Sequence, residues 1–169
     1  MMYRTSITLL ALLVYRSVTA QFAGQLDPTF ADSGYVLTNG SVELEHARSL
    51  LLTPNGRIIV VGTAVWQGND IGVARFMPNG ALDEQFGNTG SVAIHADVTA
   101  FGEGCALQPD GSILIAGMTR TQGMPDTTRG LIVRLDSTGN LDPGFANGGL
   151  HRVFFPGEFT WLYDVAVDP

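Results

Sequence analysis

One phrase, L-D-x-x-F-x-x-x-G, occurs three times: LDPTFADSG at residues 26–34, LDEQFGNTG at 82–90 and LDPGFANGG at 141–149. The copies are 56 and 59 residues apart. Four fixed positions held through three copies make the chain a tandem array of one supersecondary unit, each copy burying its apolar surface against its neighbours.

Two further landmarks keep the same step. TPNGRIIVVG at residues 53–62 matches QPDGSILIAG at 108–117, and ARFMPNGALD at 74–83 matches VRLDSTGNLD at 133–142. Between the landmarks each unit offers four strands. The first follows the repeat glycine (residues 35–38, 91–95 and 150–155), and the second leads to the proline (47–53, 104–108 and 162–168). The third covers 57–61 and 112–116, the fourth 71–76 and 131–135. Asn55-Gly56 and Asp110-Gly111 suit tight hairpins because both residues tolerate positive φ, so the second and third strands are expected to pair antiparallel. The third strand is apolar on both faces (Ile58 to Val61, Ile113 to Ala116), as expected where it is covered on both sides. The fold class read from this pattern is all-β, with repeated four-stranded antiparallel units, β-propeller-like and incomplete. A β-solenoid is the alternative.

These phrases resemble the delta-60 repeat, a tandem motif of secreted, mostly bacterial, proteins, over nearly all of residues 26–169. The resemblance implies a propeller-like β architecture and carries no activity with it. With two full blades and part of a third, the chain has fewer units than that repeat normally shows.

The first twenty residues read as a secretory signal. Arg4 precedes an apolar core at residues 7–15, and Val18-Thr19-Ala20 provides small residues for cleavage. This nine-residue core, closed by Arg16, falls well short of the roughly 20 that a membrane-spanning helix needs. The expected organisation is therefore a signal peptide at 1–20, a partial leading repeat element at 21–33, repeat units at 34–90 and 91–149, and a third unit cut short at 150–169. No membrane span is expected after cleavage, and the mature chain is expected outside the cell or in a periplasm. Of nine basic residues, all Arg, two leave with the signal; seven remain against 16 Asp and Glu, a net charge of −9. So acidic a surface repels nucleic acid, which is therefore not an expected partner.

The internal alignment tests each candidate for chemistry. Cys105, the single cysteine, falls in a slot filled by Leu50 and Val165 in the other units, which points to packing rather than a nucleophile. Asp27, Asp83 and Asp142 recur among Gly and Asn, but no loop has a calcium-binding pattern, and an Asx turn over Phe30, Phe86 and Phe145 accounts for them. Arg75 and Arg134 also coincide, and each is expected to pair with an acidic side chain or carbonyls near the following turn. His46, His95 and His151 are non-equivalent and lack zinc spacing; Asp83-Glu84 is a solvated turn pair. The sequence assigns no catalytic, metal or cofactor residue, and the enzyme question leans to no.

What varies between units is the loops at residues 39–46, 96–103, 63–70 and 119–129, where binding in repeat folds is usually placed. Trp66 in one of them could stack on a sugar or fold back over a blade edge, and Asn39-Gly40-Ser41 is a glycosylation sequon. The reading that follows is a secreted scaffold for extracellular binding or adhesion, its ligand a glycan or a protein. Part of a propeller-type hydrolase or lactonase is one alternative. A truncated reading frame without independent function is another. Strands left unpaired where the third unit stops are expected to favour self-association.

Overall fold

Four three-residue turns set the course of the chain. In the first, Thr53 N donates to Arg57 O (2.9 Å) and Gly56 N donates to Thr53 O (2.8 Å). The same pair of bonds recurs at residues 77–81, 108–112 and 136–140. Only the last loop residue is left-handed, with φ of 78° at Gly56, 84° at Gly80, 85° at Gly111 and 93° at Gly139. Asn55 and Asp110 are not, so these are type I turns closed by a glycine bulge rather than the expected two-residue mirror turns.

The computed structural model describes residues 24–37, 44–65, 69–121, 127–156 and 159–168. Among these residues eight strands form two antiparallel meanders. The first sheet runs in the order β1 (Leu44–Leu52), β2 (Ile58–Val65), β3 (Asn69–Phe76), β4 (Ser91–Ile94). The second repeats it with β5 (Thr99–Leu107), β6 (Ile113–Thr121), β7 (Thr127–Leu135), β8 (Leu150–Val153). Equivalent residues pair in both: Val61 with Val73 and Val73 with Val92, then Ile115 with Val133 and Val133 with Leu150. The protein is all-β, and antiparallel meanders of four are blades of the propeller kind; a solenoid would coil without them.

The sheets are phased differently from the sequence units. Ser91–Ile94, which follows the repeat glycine and opens the second unit, pairs with β3 and is the last strand of the first blade. The blades therefore span residues 44–94 and 99–153; the phrases at 82–90 and 141–149 each lie between the third and fourth strands of a blade, and the one at 26–34 lies ahead of the first. The copy expected as a strand at 35–38 shows only an isolated bridge between Ala31 and Tyr35 over its described residues, 35–37. The later copies pair with the third strand of a blade before them, and Tyr35 has no such strand among the described residues.

Blade faces meet to form the core. Ile59, Val61, Ile71, Val73 and Phe86 of the first blade pack with Ile113, Ile115, Leu131, Val133 and Leu135 of the second in one cluster. β5 lies against β1, β2 and β3, so the blades converge on their first strands. Position in the blade thus decides exposure. Cys105 and Leu107 face the first blade and are half-buried, whereas Leu50 and Leu52, in the same slots of β1, face away from it and are 62% and 66% exposed.

The segment 159–168 has no regular strand structure, against expectation; β1 and β5 have β2 and β6 as hairpin partners, and this segment has no counterpart of them among the described residues. It nevertheless docks on the second blade as β5 docks on the first. Leu162 N donates to Gly117 O (3.3 Å), and Thr160 N to Thr128 O (3.3 Å). Trp161 stacks on Tyr163, ring centroids 5.8 Å apart and nearly parallel.

Candidate functional site: the two ends of the blade pair

At one end of the blades the repeated phrases form hooks of identical construction. In each, the Phe N donates to the Asp O and the Gly N to the Phe O, at 2.9 and 2.8 Å in the copy from Leu82 to Gly90. The Asp carboxylate accepts from the backbone two residues on: Thr29 N to Asp27 (2.9 Å), Gln85 N to Asp83 (3.3 Å), Gly144 N to Asp142 (2.8 Å). These are the expected Asx turns. Gly90 adopts φ 98°, and a methyl group there would stand 2.3 Å from Leu82 Cγ, which ties the first and last letters of the phrase together. The hook is stitched to the third strand by Arg75 N to Gly90 O (3.0 Å) and Asp83 N to Arg75 O (2.9 Å).

Backbone bonds between hook and turn then join each hook to the next blade. Gly87 N donates to Thr138 O (2.8 Å), and Ala31 N to Asn79 O (2.9 Å), so two successive hooks grip two successive turns in the same way. Phe86 is wholly buried beneath the Arg75 guanidinium, 4.6 Å from its ring centroid, and Arg75 Nη1 reaches Ser137 O of the second blade at 2.6 Å. Arg75 also donates through Nε to Asp83 (2.9 Å), and Arg134 pairs with Asp110 (2.8 Å) and Asp142 (3.2 Å), so both arginines hold acidic partners as expected, and Arg75 a carbonyl as well.

Asp83 receives a second guanidinium that the sequence reading passed over: Arg57 Nε donates to the same oxygen at 2.8 Å. Burial works to raise the Asp83 pKa, but the Arg57 hydrogen bond and the Arg75 charge outweigh it and hold the carboxyl below its ordinary value. Arg57 stands where the other copy has Ser112, and that mismatch in the internal alignment was the available signal. Beside it a cavity of about 400 Å³ opens between the blades, walled by Ile59, Leu107 and Ile113 and rimmed by Asn55, Gly111 and Ser137.

The opposite end carries the loops that differ between units. Strands reach further into these loops than expected: β5 begins at Thr99, β2 runs to Val65, β6 to Thr121. Trp66 and Asn39 lie outside the described residues, as does the signal segment. Three polar residues absent from the sequence reading gather here. Asp70 is buried at the start of β3 and accepts from His95 Nδ1 at 2.7 Å. Asp97, left-handed at φ 64° in the crossover between blades, accepts from Arg152 Nε (2.9 Å) and Nη2 (3.2 Å) and from Thr119 Oγ1 (3.1 Å). Burial pushes the Asp97 pKa up, and the Arg152 hydrogen bond and charge more than reverse it. These pairings join residues 25 and 55 positions apart, so no local spacing signals them.

A family model described as a domain of unknown function (DUF5122) beta-propeller matches residues 53–86 and 108–145. The chain is a β-propeller-like repeat protein. Both matched segments start at the first turn of a blade, run through its second and third strands and end at the Phe of the hook. The matched part is thus the machinery that closes one blade and grips its neighbour. No curated protein shows significant similarity to the chain.

Two measurements follow from this geometry. The folded-state pKa values of Asp83 and Asp97 are depressed, so their contribution to stability is complete above about pH 4, near the unfolded value, and is lost as pH falls through the folded values. Urea midpoints should be flat with respect to these groups from pH 5 to 7 and fall steeply below 4. Asp83→Asn should flatten part of that fall and cost roughly 2–3 kcal/mol at pH 7, since both guanidinium groups lose their shared acceptor while Arg57 keeps some access to water. Burial pushes the Cys105 thiol above its ordinary pKa, and its Sγ–H donates to Ser49 Oγ at 3.3 Å. A thiol reagent at pH 8 should label native Cys105 at least about tenfold more slowly than the urea-unfolded chain, because only thiolate reacts.

Proposed function

We propose that this protein is an extracellular binding scaffold carrying the delta-60 repeat, with recognition at the loop-bearing end and no catalysis. One observation carries the reading. The charged residues that recur between units, Arg75, Arg134, Asp83 and Asp142, are spent on hooks and turns at one end, while the non-repeated Asp70–His95 and Asp97–Arg152 pairs stand at the other. In repeat folds the variable end is the recognition end because its loops change without disturbing the stack. The apolar run at residues 7–15 and the small residues before Gln21 support export, which N-terminal sequencing of the mature protein from the culture medium would test by reading from Gln21.

The binding reading is tested by presenting the purified protein to arrays of extracellular glycans and matrix proteins. The expected result is saturable capture of a defined ligand that disappears when residues 66–68 or 122–126 are replaced by Gly-Ser, with melting unchanged. Capture indifferent to both replacements would overturn the assignment to this end. Turnover of ester or lactone substrates would establish the hydrolase alternative instead.

A further inference from the structure

We propose that the cavity between the two blades is a binding site for a small organic monocarboxylate with an apolar body, held by Arg57. This site lies at the opposite end from the loops and is independent of the recognition proposed there.

Three observations lead to it. First, the charge is inverted locally. The sequence as a whole has a formal charge of −7, yet the cavity is lined by two guanidinium groups, Arg57 and Arg75, whose shared partner Asp83 is not among the lining residues and balances only one of their two charges. Second, the two arginines are differently committed. Arg75 is 12% exposed at its side chain, with Nε on Asp83 and Nη1 on the Ser137 carbonyl. Arg57 is 29% exposed, and its described polar contact is through Nε alone, so the two Nη groups remain free to donate while Asp83 fixes the plane of the guanidinium. That is the fork a carboxylate meets with two parallel hydrogen bonds. Third, the floor is aliphatic. Ile59 and Ile113 are wholly buried at its base and Leu107 forms the side, so a ligand must offer apolar surface beyond its charged group. A volume of about 400 Å³ sits at the lower end of the range for small-molecule sites.

The same features select the ligand. Sulfate or phosphate at neutral pH carries up to two charges and no apolar body, so it would leave the aliphatic floor uncovered and pay more desolvation. A neutral alcohol would cover the floor and leave the Arg57 fork without an acceptor. The site is particular to this inter-blade position, because the equivalent of Arg57 in the second blade is Ser112.

The test titrates hexanoate into the full chain at pH 7 and low salt, following amide shifts together with the Arg57 Nε–H resonance. Saturable shifts at Gly111, Leu107 and Arg57 Nε–H are expected, with hexanol and sulfate each binding at least about tenfold more weakly. Arg57→Gln should weaken hexanoate by about tenfold or more, the loss of one charge-assisted pair. Should that variant fail to fold, Arg57→Lys keeps the charge beside Asp83 and removes the planar fork, and it should also bind hexanoate several-fold more weakly. Equal hexanoate affinity in either folded variant, sulfate binding as tight as hexanoate, or an Arg57 Nε–H resonance unmoved at saturation would overturn the proposal. None of these results bears on array capture through the loops.

Discussion

Replacing Gly117 by alanine is expected to destabilise the protein by roughly 3–4 kcal/mol, a large share of the 5–15 kcal/mol that holds an ordinary domain together. An alanine methyl at that position would stand 1.9 Å from the Phe101 carbonyl oxygen, and at the equivalent Gly62 it would stand 1.8 Å from the His46 carbonyl oxygen. In both blades the first strand shifts register opposite this glycine, between Ala47 and Ser49 and between Gly102 and Gly104. The shift lays a backbone carbonyl directly over the glycine Cα, and backbone cannot move aside as a side-chain tip can. Gly148→Ala supplies the control. Its φ is 65°, but nothing lies within 4 Å of the added carbon, and Ser33 and Thr89 hold the same left-handed conformation in the other hooks. Its cost should be about 1 kcal/mol at most. Urea denaturation of the three proteins distinguishes them; equal midpoints for Gly117→Ala and the parent would mean that the bulge does not cover Gly117.

Phe86→Ala is expected to cost roughly 3–5 kcal/mol, the usual range for deleting a buried aromatic ring. The ring is fully enclosed, capped by Arg75 on one side and touching the second-blade turn at Gly139 on the other, where a methyl group would come within 3.0 Å of it. Because that turn belongs to the other blade, the substitution should loosen the join between blades as well as the core. Hydrogen exchange should accelerate at Gly87, whose N–H donates to Thr138 O, before it accelerates at the β2–β3 pairing. Phe145→Ala, at the half-buried position of the next hook, should cost visibly less. Equal losses at the two positions would show that the grip on a neighbouring blade contributes nothing to Phe86.

The features legible in the sequence were those fixed by local chemistry. The Asn-Gly and Asp-Gly turns and the Asp-Phe-Gly hook each rest on contacts within about ten residues, and each stands where the repeat put it; the third strand also forms there, but one face is wholly buried at Ile59, Val61, Ile113 and Ile115 while Ile58, Val60 and Leu114 on the other are only half-buried. Blade phase was not legible. A periodic sequence can be cut at any point, and whether residues 91–94 close the first blade or open the second depends on pairing to β3 across a turn and a hook. The loop lengths were misjudged for a related reason: Thr99 to Phe101 and Met118 to Thr121 have no amphipathic alternation, yet they pair as strand because their neighbours present backbone partners. At the site, the repeated Asp and Arg residues are engaged in the turns and ion pairs of the hooks. Arg57, Asp70, Asp97 and Arg152 escaped because each acts through a partner distant in sequence and occurs once.

The central claim is that each blade is completed by the strand that follows its hook, so that two four-stranded sheets pack face to face as in a propeller. Cross-strand proton contacts in a nuclear Overhauser spectrum of the labelled protein test it directly. Val73 should show backbone contacts to both Val61 and Val92, and Val133 to both Ile115 and Leu150. A spectrum in which Val92 instead contacts residues of β5, with none to Val73, would contradict it.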